Sequence, residues 1–399
     1  MPSTSFHIVN LGCKVNRVEA DSMHAALMAK GAAYAQEEAA DLIIVNTCTV
    51  TAEADKKARK AVHHALAVNP LAKVVVTGCA AAISQDVFNA MSPRVRVASK
   101  LELEMEFSEG RQEPLLRIGD EFRTRVGLKV QDGCDHACTY CIVHVARGKA
   151  RSVGVQDVVR EARAYLQAGV KEIVLTGIDI GAYQDGTTRL PELVALLLKE
   201  ADEAHSGDEA PARIRISSIE PRSIDDELIE LLVAADGRLC RHLHVPLQSG
   251  SSKVLREMDR PYTAEEYRAL VQKIRSRVPS IALSTDVIVG FPGETDEDFD
   301  ETCKLVKDCG FMRLHVFPYS RREGTPAADR PDQVDSAVKK SRAATLRDIG
   351  SDLARSDLES RKGRLEYCLV EEATCLSESY HEMEAPTGCK PGELVQLAL

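Results

Sequence analysis

The segment Gly133-Cys134-Asp135-His136-Ala137-Cys138-Thr139-Tyr140-Cys141 sets three thiols in a C-x3-C-x2-C spacing. Three thiolates on one short loop can ligate three irons of a [4Fe–4S] cube, leaving the fourth iron open to a small molecule. Disulfides cannot use three neighbouring thiols. A structural zinc needs a fourth ligand, and His136 or His144 could supply it. A second set, Cys13, Cys48 and Cys79, is spread 35 and 31 residues apart. Each of these thiols closes a short β-rich run: residues 8–11, 42–45 and 74–76.

These runs are continuous and apolar, as strands buried on both faces of a parallel sheet must be. Helical patterns at 19–30 and 52–68 separate them. Strand, helix, strand, helix, strand predicts a doubly wound α/β domain whose ligands sit outside the carboxyl ends of its strands. Intervals of about one βαβ period bring all three thiols to that edge. The alternative is three buried small apolar residues, since unpaired cysteine is often buried.

An acidic stretch at 102–113 followed by Pro114 reads as a linker. A second α/β series follows, with strands expected at 127–131, 172–176, 213–217, 242–247, 282–290 and 313–318. Helices are expected at 155–168, 223–235 and 296–309, two of them stopped by Gly169 and Gly310. Six strands alternating with helices predict a partial (β/α)6 barrel, its site on the C-terminal face. A long charged helix at 333–360 leads to strand-like runs at 365–370 and 393–397, read as a small antiparallel β module. The expected domains are therefore 1–115, 120–355 and 359–399.

Composition excludes other classes. In 399 residues, apolar types make up 44% and charged types 28%, a globular balance. No apolar run approaches the ~20 residues of a membrane helix, and the first residues carry no signal-peptide pattern. A cytoplasmic chain with reduced thiols is expected. The net charge of −10 and the absence of Trp argue against nonspecific coating of nucleic acid.

The C-x3-C-x2-C spacing resembles the radical S-adenosylmethionine (SAM) superfamily. The wider pattern is similar to its methylthiotransferases, which replace C–H by C–SCH3 on tRNA adenosines or a ribosomal protein. The segments carrying this likeness are Arg147-Gly148-Lys149-Ala150-Arg151-Ser152, Leu175-Thr176-Gly177, Ser217-Ser218-Ile219-Glu220-Pro221, His244-Val245-Pro246-Leu247-Gln248-Ser249-Gly250, Asp286-Val287-Ile288-Val289-Gly290-Phe291-Pro292-Gly293-Glu294-Thr295 and Phe317-Pro318-Tyr319-Ser320-Arg321. Leu11-Gly12-Cys13-Lys14-Val15-Asn16 resembles the branch acting on N6-threonylcarbamoyladenosine at tRNA position 37. The other branches act on isopentenyladenosine or a ribosomal protein.

The resemblance implies two [4Fe–4S] clusters. Cys134, Cys138 and Cys141 would hold the radical-generating one, where SAM chelates the open iron and is cleaved to a 5′-deoxyadenosyl radical. Cys13, Cys48 and Cys79 would hold an auxiliary cluster carrying the sulfur to be transferred, in a cavity shared by the two domains. Tyr140 takes the place of a family aromatic residue. Gly177, Ser217, Glu220 and Gln248, polar or small residues at strand ends, are the candidates for holding SAM. Asp286, inside an apolar strand, is expected to satisfy a backbone group. Implied partners are tRNA, a flavodoxin- or ferredoxin-type electron donor and a sulfur donor of unknown identity.

Two departures stand out. Ile142-Val143-His144 replaces a proline that usually follows the third cysteine. The C-terminal module lies where the family has an RNA-binding TRAM domain, but it is short, and residues 361–399 carry 4 Lys/Arg against 7 Asp/Glu. RNA grip is therefore expected from Arg117, Arg123, Arg125, Lys129, Arg147, Lys149 and Arg151. Cys240, Cys303 and Cys309 read as buried thiols; Cys368, Cys375 and Cys389 with His381 offer a zinc set of unfamiliar spacing. A cobalamin-dependent radical SAM methylase is a further reading, weakened by the absence of a D-x-H-x-x-G motif. A zinc-stapled or degenerate scaffold is another.

Overall fold

The structure is a computed structural model that describes residues 4–108, 116–118, 122–204, 210 and 212–399. The chain folds into two compact units. The first is Met1–Phe122 with Gly133–Asp135 and Cys141–Lys149; the second is Arg123–Asp132, His136–Tyr140 and Ala150–Leu399.

In the first unit, strands β1 (Ser5–Asn10), β2 (Ala33–Tyr34), β3 (Leu42–Thr47), β4 (Lys73–Gly78) and β5 (Val95–Val97) form a parallel sheet in the order β2-β1-β3-β4-β5. Successive residues of β3 feed opposite faces. Ile43 and Val45 pack with Ala58, Val62 and Ala65 of helix α2 (Ala52–Val68). Ile44 packs with Ala20, Met23 and Leu27 of helix α1 (Lys14–Ala29). Both faces are covered, which explains the unbroken apolar runs. Helix α2 starts where Thr51 accepts the Ala54 N–H, with Glu53 and Asp55 in its first turn.

Two expectations shift. Helix α1 begins at Lys14, five residues earlier than its apolar pattern suggested, because Val15 and Val18 are buried despite their polar neighbours. The acidic segment read as a linker is helical over Lys100–Ser108, where Leu103 and Phe107, one turn apart, bury against the sheet. Residues 109–115, including Pro114, lie outside the described residues.

In the second unit, six parallel strands run in chain order: β6 (Val126–Lys129), β7 (Glu172–Thr176), β8 (Arg213–Ile216), β9 (His242–His244), β10 (Ala282–Val289) and β11 (Arg313–Pro318). Parallel bridges Ile214↔Leu239 and Ser218↔His244 join the halves of this open barrel. Strand β9 is shorter than expected because Pro246 offers no N–H. The chain then turns with Gln248 at φ 67, and both its backbone groups still bond to β10.

The C-terminal module has four antiparallel strands, β12 (Leu365–Val370), β13 (Thr374–Ser377), β14 (Glu382–Glu384) and β15 (Leu394–Ala398), in the order β14-β13-β12-β15. It closes the N-terminal mouth of the barrel. Glu172, Arg213 and Arg215 are all about 1% exposed or less. Arg213 donates to the carbonyls of Tyr367 and Leu376, and Arg215 to those of Ser377 and Glu378. Tyr380 stacks on His242 at 4.6 Å, with the guanidinium groups of Arg215 and Arg313 over its ring. Burial would raise the Glu172 carboxyl, but the two arginines outweigh it and hold it at about 2.

Candidate active site

Cys13 follows β1, Cys48 follows β3 and Cys79 follows β4, three neighbouring strands. The order 2-1-3-4-5 reverses between β1 and β3, the switch point where such sheets bind ligands. Cys13 is the N-cap of the 16-residue helix α1, and its side chain makes no capping bond there. The turn into Cys79 requires glycine: Gly78 has φ +93, and a Cβ would stand 2.3 Å from the Thr47 carbonyl oxygen.

Burial pushes the Cys48 thiol up, while backbone N–H groups of Val50 and Thr49 pull it down; charges on Cys13 and Cys79 reach it too. All three thiols lie at the carboxyl-terminal ends of adjacent strands of one sheet. Among the described residues, the three-residue set with ligand atoms within 4.8 Å of one another is elsewhere. A [4Fe–4S] cube takes one thiolate on each of three irons, and three thiols at the ends of neighbouring strands suit that demand.

The loop from Gly133 to Lys149 is pinned at its ends and middle. Gly133 has φ +73, and a Cβ would lie 2.0 Å from the Lys149 carbonyl oxygen. The Cys134 N–H donates to Gly148 O at 3.1 Å. Within the second unit, the Thr139 N–H and hydroxyl donate to the carbonyls of Met258 and Glu257. Cys138 is buried, and Arg260 donates to its sulfur at 3.3 Å. Burial raises the Cys138 thiol and Arg260 opposes that rise. All twelve cysteines are thiols.

Arg260 also pairs with Glu220 and lies over the Tyr262 ring at 5.0 Å. Burial raises the Glu220 carboxyl and Arg260 lowers it, with a net rise. Glu220 thus links the strand-end candidates to Cys138. Gly177 follows β7, Ser217 follows β8 and Gln248 follows β9, all at the C-terminal mouth. Gly177 wraps Gln131, whose side-chain oxygen accepts the N–H groups of Ile178 and Asp179. His136 turns to Asp179 at 3.4 Å, and this contact raises its pKa. Tyr140 packs on an apolar cluster of Val254, Met258, Phe291, Tyr319 and Ala327.

Several expectations fail. Arg147 is not an RNA-facing residue: it is buried and paired with Glu19. Arg117 is buried and donates to Ser22, while Arg125 pairs with Glu371 and Lys129 with Asp132. Arg151 pairs with Asp132 but stays exposed; Arg123 and Lys149 are exposed. His144 lies within the short helix Val143–Arg147, whose last turn closes with the Gly148 N–H on the His144 carbonyl.

The zinc set does not form. Cys368, Cys375 and Cys389 join an apolar cluster, and burial pushes Cys368 up to about 12. His381 turns instead to Ser379 and Asp357. Cys240 and Cys309 are buried thiols, each pushed up to about 11; Cys303 is half-buried.

Asp286 does more than satisfy backbone. Its carboxylate lies 3.2 Å from His244 Nε2 and it is in register with His315. Ligand atoms of His244, Asp286 and His315 all lie within 4.8 Å of one another, and the Ser284 hydroxyl meets His244 Nδ1 at 3.0 Å. This set could hold a divalent cation or the polar part of a substrate. Sequence reasoning missed it, and Arg260 as well, because only strand register and tertiary packing bring these residues together.

The model described as Radical SAM superfamily matches residues 128–306, and that described as Uncharacterized protein family UPF0004 matches residues 5–98. The chain is 39% identical to the threonylcarbamoyladenosine tRNA methylthiotransferase MtaB of Bacillus subtilis (strain 168), over 94% of this chain and 86% of the relative. The chain belongs to the radical SAM tRNA methylthiotransferases. The Aquifex aeolicus MtaB is 33% identical over 98% of both chains. The tRNA-2-methylthio-N(6)-dimethylallyladenosine synthase of Geobacillus kaustophilus is 34% identical over 92% of this chain and 72% of its own.

Among solved structures, the radical SAM methyltransferase TsrM of Kitasatospora setae superposes with a TM-score of 0.58 at 18% identity, over 82% of this chain and 77% of that one. That likeness is one of fold. Methylthiotransferases of this family use SAM and [4Fe–4S] clusters, and this chain is a radical SAM enzyme of that class. No helix among the described residues is long and apolar enough to cross a membrane.

Proposed function

We propose that this enzyme adds a methylthio group to C2 of N6-threonylcarbamoyladenosine in tRNA. The likeness to relatives named for that activity, over most of both chains, carries the reading. Residues 1–115 serve as the sulfur-carrying domain and 120–355 as the radical SAM core; 359–399 close the barrel. Cys134, Cys138 and Cys141 hold one cluster, and Cys13, Cys48 and Cys79 the other. Gly177, Ser217, Glu220 and Gln248 hold SAM, with Tyr140 supporting the loop from its apolar side.

When bound, these groups supply the one-electron chemistry needed to replace an unactivated C–H bond, which side-chain acids and bases cannot do. The chain's own residues fix the sulfurs, orient SAM and receive the base. The His244–Asp286–His315 set supports the choice of branch. A threonylcarbamoyl group carries hydroxyl, urea and carboxylate functions that such a polar set can hydrogen-bond; a dimethylallyl group offers it none. The electron donor is of flavodoxin or ferredoxin type, and the reaction takes place in the cytoplasm, where tRNA is.

A bacterial strain lacking its own threonylcarbamoyladenosine methylthiotransferase tests the reading. Expression of this chain restores the 2-methylthio derivative in nucleoside mass spectra of bulk tRNA. Unchanged threonylcarbamoyladenosine in cells making folded, iron-loaded protein contradicts the reading.

A further inference from the structure

Arg147 is the last residue of the cluster loop's short helix, and in the first unit its side chain is 3% exposed. Its Nε donates to Cys79 Sγ at 3.3 Å. One terminal nitrogen donates to Glu19 Oε1 at 2.9 Å, and the other to Asn16 Oδ1 at 2.7 Å. Lys100 approaches the same carboxylate from another side, its Nζ paired with Glu19 and 3.4 Å from Asn16 Oδ1. Asn16 in turn lies 3.7 Å from Cys13 Sγ and donates to the Thr47 carbonyl at 2.8 Å. Glu19 side-chain exposure is 5%. Two basic side chains and one carboxylate are thus held together beside the thiol of Cys79, one of them bonded to its sulfur.

Burying two cations around one acid is costly without a further negative charge to receive them. The three thiolates of an iron–sulfur site supply that charge. Net charge and N–H···S hydrogen bonds are two of the levers that set a cluster's potential: a positive neighbour favours the reduced, more negative form.

We propose that Arg147 and Lys100, balanced by Glu19, are positioning residues that raise the reduction potential of the cluster on Cys13, Cys48 and Cys79. This rests on the assignment of those three cysteines to a cluster. It goes beyond that assignment in giving Arg147, which stands outside both cysteine sets, control over the electronics of one of them.

The test uses a parent in which Cys134, Cys138 and Cys141 are replaced by Ala, so one cluster remains, followed by anaerobic redox titration with electron paramagnetic resonance. In the Arg147→Gln variant, the reduced-to-oxidised ratio at fixed potential falls about tenfold, a midpoint 59 mV lower for a one-electron couple. Arg147→Lys keeps the charge and stays within about threefold of the parent. Glu19→Gln removes the balancing carboxylate and shifts the ratio the opposite way. A merely structural role would not give shifts of opposite sign.

Unchanged midpoints in Arg147→Gln and Glu19→Gln, with about four irons still bound, overturn the proposal. Equal loss in Arg147→Lys and Arg147→Gln also overturns it. If Arg147→Gln loses its iron, Arg147→Lys and Glu19→Gln decide. A parent with no iron overturns the assignment of the cysteines themselves, and the two failures are thereby distinguished.

Discussion

Replacing Arg215 by Met tests how the barrel is closed. The methionine matches the apolar length of the arginine but carries no donor. Glu172 Oε1 loses a 2.7 Å bond, and the carbonyls of Ser377 and Glu378 each lose a charged donor at 3.0 Å. Glu172 stays buried with Arg213 at 2.6 Å and the charge of Arg125 further off. Breaking one side of a buried ion pair costs about 3–5 kcal/mol, chiefly because the remaining charge is left in a dry site.

The loss has a pH signature. The folded-state pKa of Glu172 lies at about 2, below the usual value for an unfolded carboxyl. Its contribution is therefore fully present above the unfolded value and lost as pH falls towards 2. The stability gap between parent and variant is widest near neutrality and narrows as the pH falls below 4. Urea unfolding followed by circular dichroism measures the gap, and limited proteolysis reports release of the C-terminal strands. A variant within about 1 kcal/mol of the parent at pH 7, with its C-terminal strands equally resistant, would refute the reasoning.

Other perturbations separate the two cysteine sites. Gly133→Ala strains the loop at a left-handed φ and drives a Cβ into the Lys149 carbonyl; strain of about 1–3 kcal/mol or more is expected there, with iron falling from about eight to about four per chain. Replacing Cys13, Cys48 and Cys79 together by Ala also leaves about four irons, and an unchanged count would remove the second cluster from the account. His315→Leu deletes one polar group beside Asp286. It lowers kcat/KM on threonylcarbamoyladenosine stem-loops about tenfold, roughly 1.4 kcal/mol, while the dimethylallyl substrate gains or holds. Equal loss on both substrates would exclude a role in discrimination.

The parts of the fold set by local pattern could be read before the structure was seen. Strands buried on both faces are continuous apolar runs, so β3 and β4 were visible, and so was the regular interval that places their thiols at one edge. The barrel strands were visible as short β-rich runs between helical patterns, with β9 misjudged because Leu243, Val245 and Leu247 alternate as a strand would while Pro246 interrupts the ladder. Strands β13 and β14 are too short to carry a periodic signal.

The site was legible in its cysteines but not in its surroundings. Arg213 and Arg215 alternate with isoleucines as surface residues would, yet their partner Glu172 lies 41 and 43 residues away and their carbonyl acceptors more than 150 away. Arg147 reads as one of a basic run, and only the fold brings Glu19 and Cys79 to it. Asp286 meets His244 and His315 through strand register, which no window along the chain contains. Charge in a sequence says that a residue needs a partner; tertiary structure decides whether that partner is water, a carboxylate or a metal-bound sulfur.

The central claim is that this chain performs methylthio transfer on threonylcarbamoyladenosine. The most direct measurement is a competition under anaerobic conditions. Reconstituted enzyme receives SAM, a reductant, sulfide and equal amounts of two anticodon stem-loops, one with N6-threonylcarbamoyladenosine and one with N6-dimethylallyladenosine, and the digested nucleosides are weighed by mass spectrometry. The account predicts a 2-methylthio product from the threonylcarbamoyl stem-loop, with little from the other. Product only from the dimethylallyl stem-loop, or from neither with both clusters intact, would contradict it.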